Sequence, residues 1–188
     1  MVLLKCLEHF KPSDSNVYSE EEMQKINIDV LAERGVSIDD IASLAYWAQS
    51  KYLDNLTLEE MRESVLEILN KRDQFHAILL AVQLDVLAER HLLQEPLQSI
   101  LYDDLGLFGI DEAIAISIAG NYGTIGVTNF GNMDVNKPGK ISILQNKKDA
   151  CHCFLDDIVG AIAAVAAIRV AQRHALQKAM GNLDLNIK

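Results

Sequence analysis

The sequence predicts an all-α fold, a compact single-domain helical bundle over residues 1–188. Three observations point there: helix-start signals in series, apolar residues at helical spacing behind them, and no segment with the strict alternation of a half-buried strand. At 188 residues, 49% hydrophobic and 23% charged, the chain can bury a sizeable core and falls outside the disordered class.

Ser19 with Glu22 fits a capping box, in which the hydroxyl accepts the N–H three residues on and the carboxylate accepts the N-cap N–H. Ser37, followed by Asp39 and Asp40, is a weaker start; Ile38, Ile41, Ala42 and Ala45 continue it at helical spacing. Thr57 with Glu60 repeats the box ahead of Leu58, Met61, Val65 and Leu69. A longer helix runs from about Asp73 to His91, with Ile78, Leu79, Val82, Val86 and Leu87 on its buried side. Pro96 suits the first turn of a short helix, where its missing N–H costs nothing. Val135–Leu144, broken by Asn136, Pro138 and Gly139, reads as extended, so a loop is expected near residues 131–150. The last helix carries Gly160, Ala161, Ala163, Ala164, Ala166 and Ala167, small residues that permit close helix contact within the chain or between copies; a homo-oligomer is expected. Tyr46, Trp47 and Tyr52 read as core, and Arg169, Arg173 and Lys178 fit compensation of the last helix's dipole at least as well as phosphate binding.

Charge narrows the function classes. Seventeen basic against 27 acidic residues give a formal charge of −10, which excludes a general nucleic-acid partner because duplex phosphates attract lysine and arginine stripes. Cys6, Cys151 and Cys153 form no disulfide framework, so a reducing cytoplasm is expected. The first ten residues, with Lys5 and Glu8 and no long apolar core, are not expected to act as a signal peptide. Ile158–Ile168 spans 11 residues, too few for a hydrocarbon layer of ~30 Å. Ala113–Met133 is uncharged but holds Asn121, Thr124, Thr128, Asn129, Asn132 and four glycines, which lipid would leave unsatisfied. A soluble chain is the expectation. Residues 1–94 carry nine basic and 17 acidic groups, residues 95–188 eight and ten, so an acidic helical part at 1–95 precedes a glycine-rich, aspartate-bearing part at 96–188.

The chemistry concentrates in that second part. Asp111-Glu112, Asp134 with Lys137-Pro138-Gly139, and Asp156-Asp157 all abut apolar sequence. Two unit charges ~4 Å apart repel by about 4 kcal/mol at an effective dielectric near 20. Such groups converge only if a cation offsets them or some take up protons. Mg²⁺ suits carboxylate-plus-water sites that also hold a substrate phosphate. Helix capping is the competing reading, since Asp111 and Asp156 stand where helices begin. Helical neighbours point ~100° apart, so one acid of each pair is expected to face an ion squarely. Gly120-Asn121-Tyr122-Gly123-Thr124-Ile125-Gly126, followed by Gly131, matches neither a P-loop nor a dinucleotide fingerprint; tight helix crossing and ligand approach both explain it.

Gly123-Thr124-Ile125-Gly126, the Asp111-Glu112 pair, Asp134 to Lys137-Pro138, and Phe154-Leu155-Asp156-Asp157-Ile158-Val159 together resemble the phosphatidylglycerophosphatase A family. The Asp-Asp-Ile-Val segment after a Lys-Pro loop is the most specific feature. The resemblance to membrane-embedded members covers roughly residues 100–170; the whole chain is closer to a soluble branch, the low-temperature-requirement C proteins, for which an all-helical fold is implied. Unlike the membrane members, this sequence has no transmembrane helices and adds about 95 residues of acidic helical sequence. The resemblance implies Mg²⁺-dependent removal of the terminal phosphate of phosphatidylglycerophosphate, giving phosphatidylglycerol. It further implies Asp111, Glu112, Asp134 and Asp157 as metal ligands, Asp156 as a ligand or as the residue positioning the attacking water, and Lys137 as the group that neutralises phosphate oxygens. Thr124, with Gly123 and Gly126, would hold the phosphate. The substrate would be a phosphorylated glycerolipid, reached by transient contact at the inner membrane surface. Lys137, Lys140, Lys147 and Lys148 read either as a docking patch or as a solvated loop.

Two other functions compete. Glu59-Glu60 with Glu63 supplies half of an all-α nucleotide pyrophosphohydrolase signature, but Asp85 and Glu89 lack the spacing of the second half. A non-catalytic helical oligomer, with the acids only capping helices, is the other. Cys151-His152-Cys153 cannot close a zinc tetrahedron from adjacent residues and reads as a reduced loop; His76, His91 and His174 read as helix-surface or core residues.

Overall fold

A single apolar helix organises the chain. In the computed structural model, which describes residues 4–8, 18–106, 108–146, 148 and 150–185 with side chains to residue 180, every residue from Cys151 to Ile168 is buried. A 3₁₀ turn at Lys5–Leu7 precedes nine helices among the described residues: α1 Glu20–Glu33, α2 Ile38–Gln49, α3 Leu58–Leu69, α4 Arg72–Glu89, α5 Leu97–Tyr102, α6 Ile110–Gly120, α7 Thr124–Asn136, α8 Lys140–Gln145 and α9 Leu155–Leu185. The all-α expectation holds. The first half of α9 runs through the middle, packed chiefly by α2, α7, α6 and α3, so it is apolar all round rather than on one stripe. One continuous cluster of buried side chains joins residues from Leu4 to Val170.

The helix starts form as their local chemistry dictates. At Ser19 the hydroxyl accepts the Glu22 N–H (3.2 Å) and Glu22 accepts the Ser19 N–H (2.8 Å). Thr57 and Glu60 repeat this at 3.2 and 2.9 Å. Ser37, read as the weaker start, also makes the full reciprocal pair, with Asp40 as partner (3.1 and 2.9 Å). On α4, Ile78, Val82 and Val86 are buried as expected, Leu79 and Leu87 only half-buried. Pro96 stands one residue before α5, at its N-cap.

Three expectations need correction. The loop near residues 131–150 resolves into the last turns of α7, a three-residue turn at 137–139, and α8. Lys137 (φ 41°) and Gly139 (φ 50°) both take positive φ, so Pro138 lies in a tight reversal instead of an extended run. Tyr46 is 39% exposed and Trp47 half-buried because Ile41, Ala42, Leu44 and Ala45 occupy the core side of α2, and Tyr52, three residues past the end of that helix, is 76% exposed. Arg169 and Arg173 are not at a helix end, since α9 continues to Leu185; both pair with Glu67 of α3, Arg173 at 3.9 Å.

The small residues of α9 are consumed inside the chain. A Cβ on Gly160 would stand 3.3 Å from Ile141 Cδ1 and 3.7 Å from Phe130 and Met133 atoms, and the alanines from 161 to 167 are buried. No helix among the described residues is long and apolar enough to cross a membrane.

Candidate active site

Three helix ends bring the acids together. The short link from α6 to α7 makes these helices antiparallel neighbours, which sets the start of α6, with Asp111 and Glu112, beside the end of α7, with Asp134 and Lys137. The start of α9 adds Asp156 and Asp157. Asp111, Glu112 and Asp157 each offer a carboxylate oxygen within 4.8 Å of the others. Asp104, Asp111 and Cys153 form a second such group, so Asp111 belongs to both.

Burial decides the electrostatics. Asp111 is 7% exposed, and Asp156 and Asp157 are 4%. Asp111 does not cap its helix, whose N-cap Gly109 makes no side-chain cap bond. Asp111 Oδ1 and Glu112 Oε2 are buried and accept no hydrogen bond. Burial, reinforced by Asp156, pushes Asp157 up to about 8 against the pull of Lys137. Burial likewise lifts Asp156 to about 6, with Lys137 opposing. Glu112 rises to about 7, first through its contact with the Asp111 carboxyl and then through burial. These carboxyls want either protons or a cation.

Part of that cation is built in. Lys137 Nζ donates to Asp134 Oδ1 at 2.7 Å, Asp156 Oδ2 at 3.1 Å and Asp157 Oδ1 at 3.4 Å. Burial alone would depress its ammonium, but Asp156, the hydrogen-bonded Asp134 and Asp157 outweigh that and hold it protonated. One lysine cannot balance five carboxylates. The orphaned oxygens of Asp111 and Glu112, to which Lys137 does not donate, suit a hard divalent ion bound through carboxylates.

The sequence-predicted residues divide accordingly. Asp111, Glu112, Asp134, Lys137, Asp156 and Asp157 converge. Of the four expected ligands, Asp134 is engaged by Lys137 and is not in the group of Asp111, Glu112 and Asp157. Both acids of the first pair face the group, whereas only Asp157 of the second does. Gly123, Thr124 and Gly126 do not join them. They stand at the opposite end of α7, and ten residues from Thr124 to Asp134 at 1.5 Å each separate them by about 15 Å. The Gly126 position explains their chemistry: a Cβ there would lie 2.1 Å from Ala119 O, so this glycine allows α6 and α7 to cross closely. Gly123, at φ 77°, makes the turn between them.

Two of the four lysines are occupied. Lys137 points inward, Lys140 pairs with Asp40 at 3.4 Å, Lys148 is exposed, and Lys147 lies outside the described residues. Cys151 and Cys153 are buried rather than in an open loop. Cys151 Sγ donates to Leu101 O (3.3 Å), Cys153 Sγ to Asp111 Oδ2 (3.6 Å), and His152 Nδ1 meets Leu144 O (3.0 Å), so the three side chains point to different neighbours. Glu60, from the rival pyrophosphohydrolase signature, is held by Thr57 and by His174 Nε2 at 2.7 Å.

Sequence reasoning does not point to Asp104, sets Cys153 aside as part of a reduced loop, and gives Asp85 no place at this site. Asp85 lies on α4, fully buried, and its carboxylate accepts the Phe154 and Leu155 N–H groups, each at 3.0 Å. The available signal was an acid three residues after Val82 and seven after Ile78, on the apolar face of the helix.

The chain is similar to known proteins in sequence and in fold. The sequence profile described as phosphatidylglycerophosphatase A covers residues 28–172. The uncharacterised YpjQ of Bacillus subtilis is 49% identical over 157 residues, 84% of this chain and 89% of its own length; its crystal structure superposes with a TM-score of 0.81, covering 84% of this chain and 98% of that one. YutG of the same organism, also uncharacterised, is 49% identical over 144 residues, 76% of this chain and 87% of its own. The low temperature requirement C protein of Listeria monocytogenes superposes with a TM-score of 0.79 at 44% identity, covering 88% of this chain and 99% of that one.

Proposed function

The chain belongs to the phosphatidylglycerophosphatase A family, and on that premise we propose that it is a Mg²⁺-dependent phosphomonoesterase that converts phosphatidylglycerophosphate to phosphatidylglycerol and phosphate. The observation that carries the reading is the convergence of Asp111, Glu112 and Asp157 with two buried carboxylate oxygens left without donors. Those three residues hold the ion. Bound there, Mg²⁺ supplies positive charge and Lewis acidity toward the phosphoryl oxygens.

The remaining roles fall to side chains of the chain itself. Lys137, anchored between Asp134, Asp156 and Asp157, presents an ammonium that neutralises phosphate oxygens as charge develops. Asp156 holds that ammonium in place and is the nearby carboxylate suited to orient an attacking water. A lipid substrate is supported by apolar side chains beside the cluster: Ile110, adjacent to Asp111, is 51% exposed, and Val135, adjacent to Asp134, is 81% exposed. Neither carries a charge that an anionic surface would repel.

The test is phosphate release from a panel of phosphomonoesters with Mg²⁺, including phosphatidylglycerophosphate in detergent. Asp157→Asn, close in size to the native residue, is expected to abolish Mg²⁺-dependent release while leaving the circular dichroism spectrum unchanged. Full activity in that variant would remove Asp157 from the site.

A further inference from the structure

The carboxylates of α9 depend on a backbone that another helix holds. We propose that Asp85 is a positioning residue for Asp156 and Asp157: it fixes the first turn of α9, and through it the direction of both side chains. The proposal rests on reading the cluster as a metal site.

Asp85 Oδ1 accepts the Phe154 N–H and Oδ2 the Leu155 N–H, both at 3.0 Å, with the acid fully buried. These are helix-start donors that have no partner within the helix. One turn further along α4, Glu89 Oε2 accepts the Cys151 N–H at 3.0 Å, and Arg34 Nη2 donates to both Glu89 (2.8 Å) and Cys151 O (2.8 Å). The chain from Cys151 to Leu155 is thus pinned at four backbone atoms just before the acids.

A carboxylate is a costly cap in an apolar interior, where one hydroxyl or amide would satisfy a single donor. What it adds is a second acceptor. Two bonds to consecutive N–H groups fix rotation about the α9 axis as well as its position. Side-chain tips stand about 5–6 Å from a helix axis, so a turn of roughly 20° moves a carboxylate by about 2 Å. Metal ligands tolerate about 0.2 Å. Asp157 must meet Asp111 and Glu112 while Asp156, about 100° away on the helix, meets Lys137; only a narrow range of rotation serves both.

The experiment compares the full chain with Asp85→Asn and Asp85→Ser. Asparagine keeps one acceptor and turns an NH₂ donor toward the other N–H; serine caps one N–H and removes the buried carboxyl, and only variants that fold are compared. Crystal structures are expected to show the Asp157 carboxylate displaced by on the order of 1 Å relative to Asp111. Calorimetric titration with Mn²⁺ alone is expected to show affinity weakened about tenfold or more, and kcat is expected to fall with KM unchanged. A folded variant with Asp157 in place and unaltered Mn²⁺ affinity overturns the proposal, whatever its melting temperature. A wild-type chain that binds no Mn²⁺ overturns the metal-site reading instead, and the crystallographic displacement still decides the role of Asp85.

Discussion

Asp157 sits among like charges, and its environment raises its proton affinity, as it does for Asp156 and Glu112. Folded-state pKa values of about 8, 6 and 7 lie above those of the unfolded chain. Each of these groups therefore contributes stability that is fully present below the ordinary carboxylate range and lost as pH rises through the folded value. Glu33, Asp40, Glu60 and Glu89 are shifted the other way, and their contribution is lost on acidification. The metal-free chain is thus expected to melt at a lower temperature at pH 8.5 than at pH 6, and Mg²⁺ is expected to reverse that order because it binds the deprotonated acids. Thermal scans in EDTA and in Mg²⁺ at both pH values check it; a metal-free melting temperature that climbs from pH 6 to 8.5 would contradict it. Most of these acids were legible in the sequence because a carboxylate beside an apolar run is costly wherever it is buried. Asp85 shows in the sequence only as an acid on an apolar helix face; its role does not, since its partners Phe154 and Leu155 lie 69 and 70 residues away and only the fold brings them near.

At the scale of the elements, α6 and α7 carry three of the five clustered carboxylates, Asp111, Glu112 and Asp134, and their crossing depends on Gly126. Its missing Cβ lies where a methyl would meet Ala119 O at 2.1 Å, a backbone atom that cannot swing aside. Gly126→Ala is expected to force the helices apart and cost about 1–3 kcal/mol of stability, read as a lower denaturant midpoint. It is also expected to reduce Mg²⁺-dependent activity, because Asp111 and Asp134 ride on the two displaced helices. An unchanged midpoint would mean that the crossing is looser than the structure has it. Helix starts were readable at Ser19, Ser37 and Thr57 because a capping box is written within four residues. The turn at 137–139 was not: Lys137 takes a left-handed conformation that its residue type does not advertise, held there while its ammonium bonds three acids. The glycine stretch signals close approach, and at Gly126 what approaches is the neighbouring helix.

For the whole molecule, a buried central helix lets distant segments converge at one end of the bundle. The first half of the chain, read as ordinary acidic helices, supplies α2 and α3 around α9 and, from α4, the carboxylate that holds the start of α9. Helical class and most site acids were therefore accessible from local patterns and from the family resemblance, whereas the division of labour among the acids required their three-dimensional neighbours. The proposed chemistry requires a divalent ion held by Asp111, Glu112 and Asp157. Anomalous diffraction from crystals grown with Mn²⁺ tests this most directly: a peak is expected about 2.0–2.6 Å from oxygens of all three residues. Saturating Mn²⁺ with no peak at that position would contradict it.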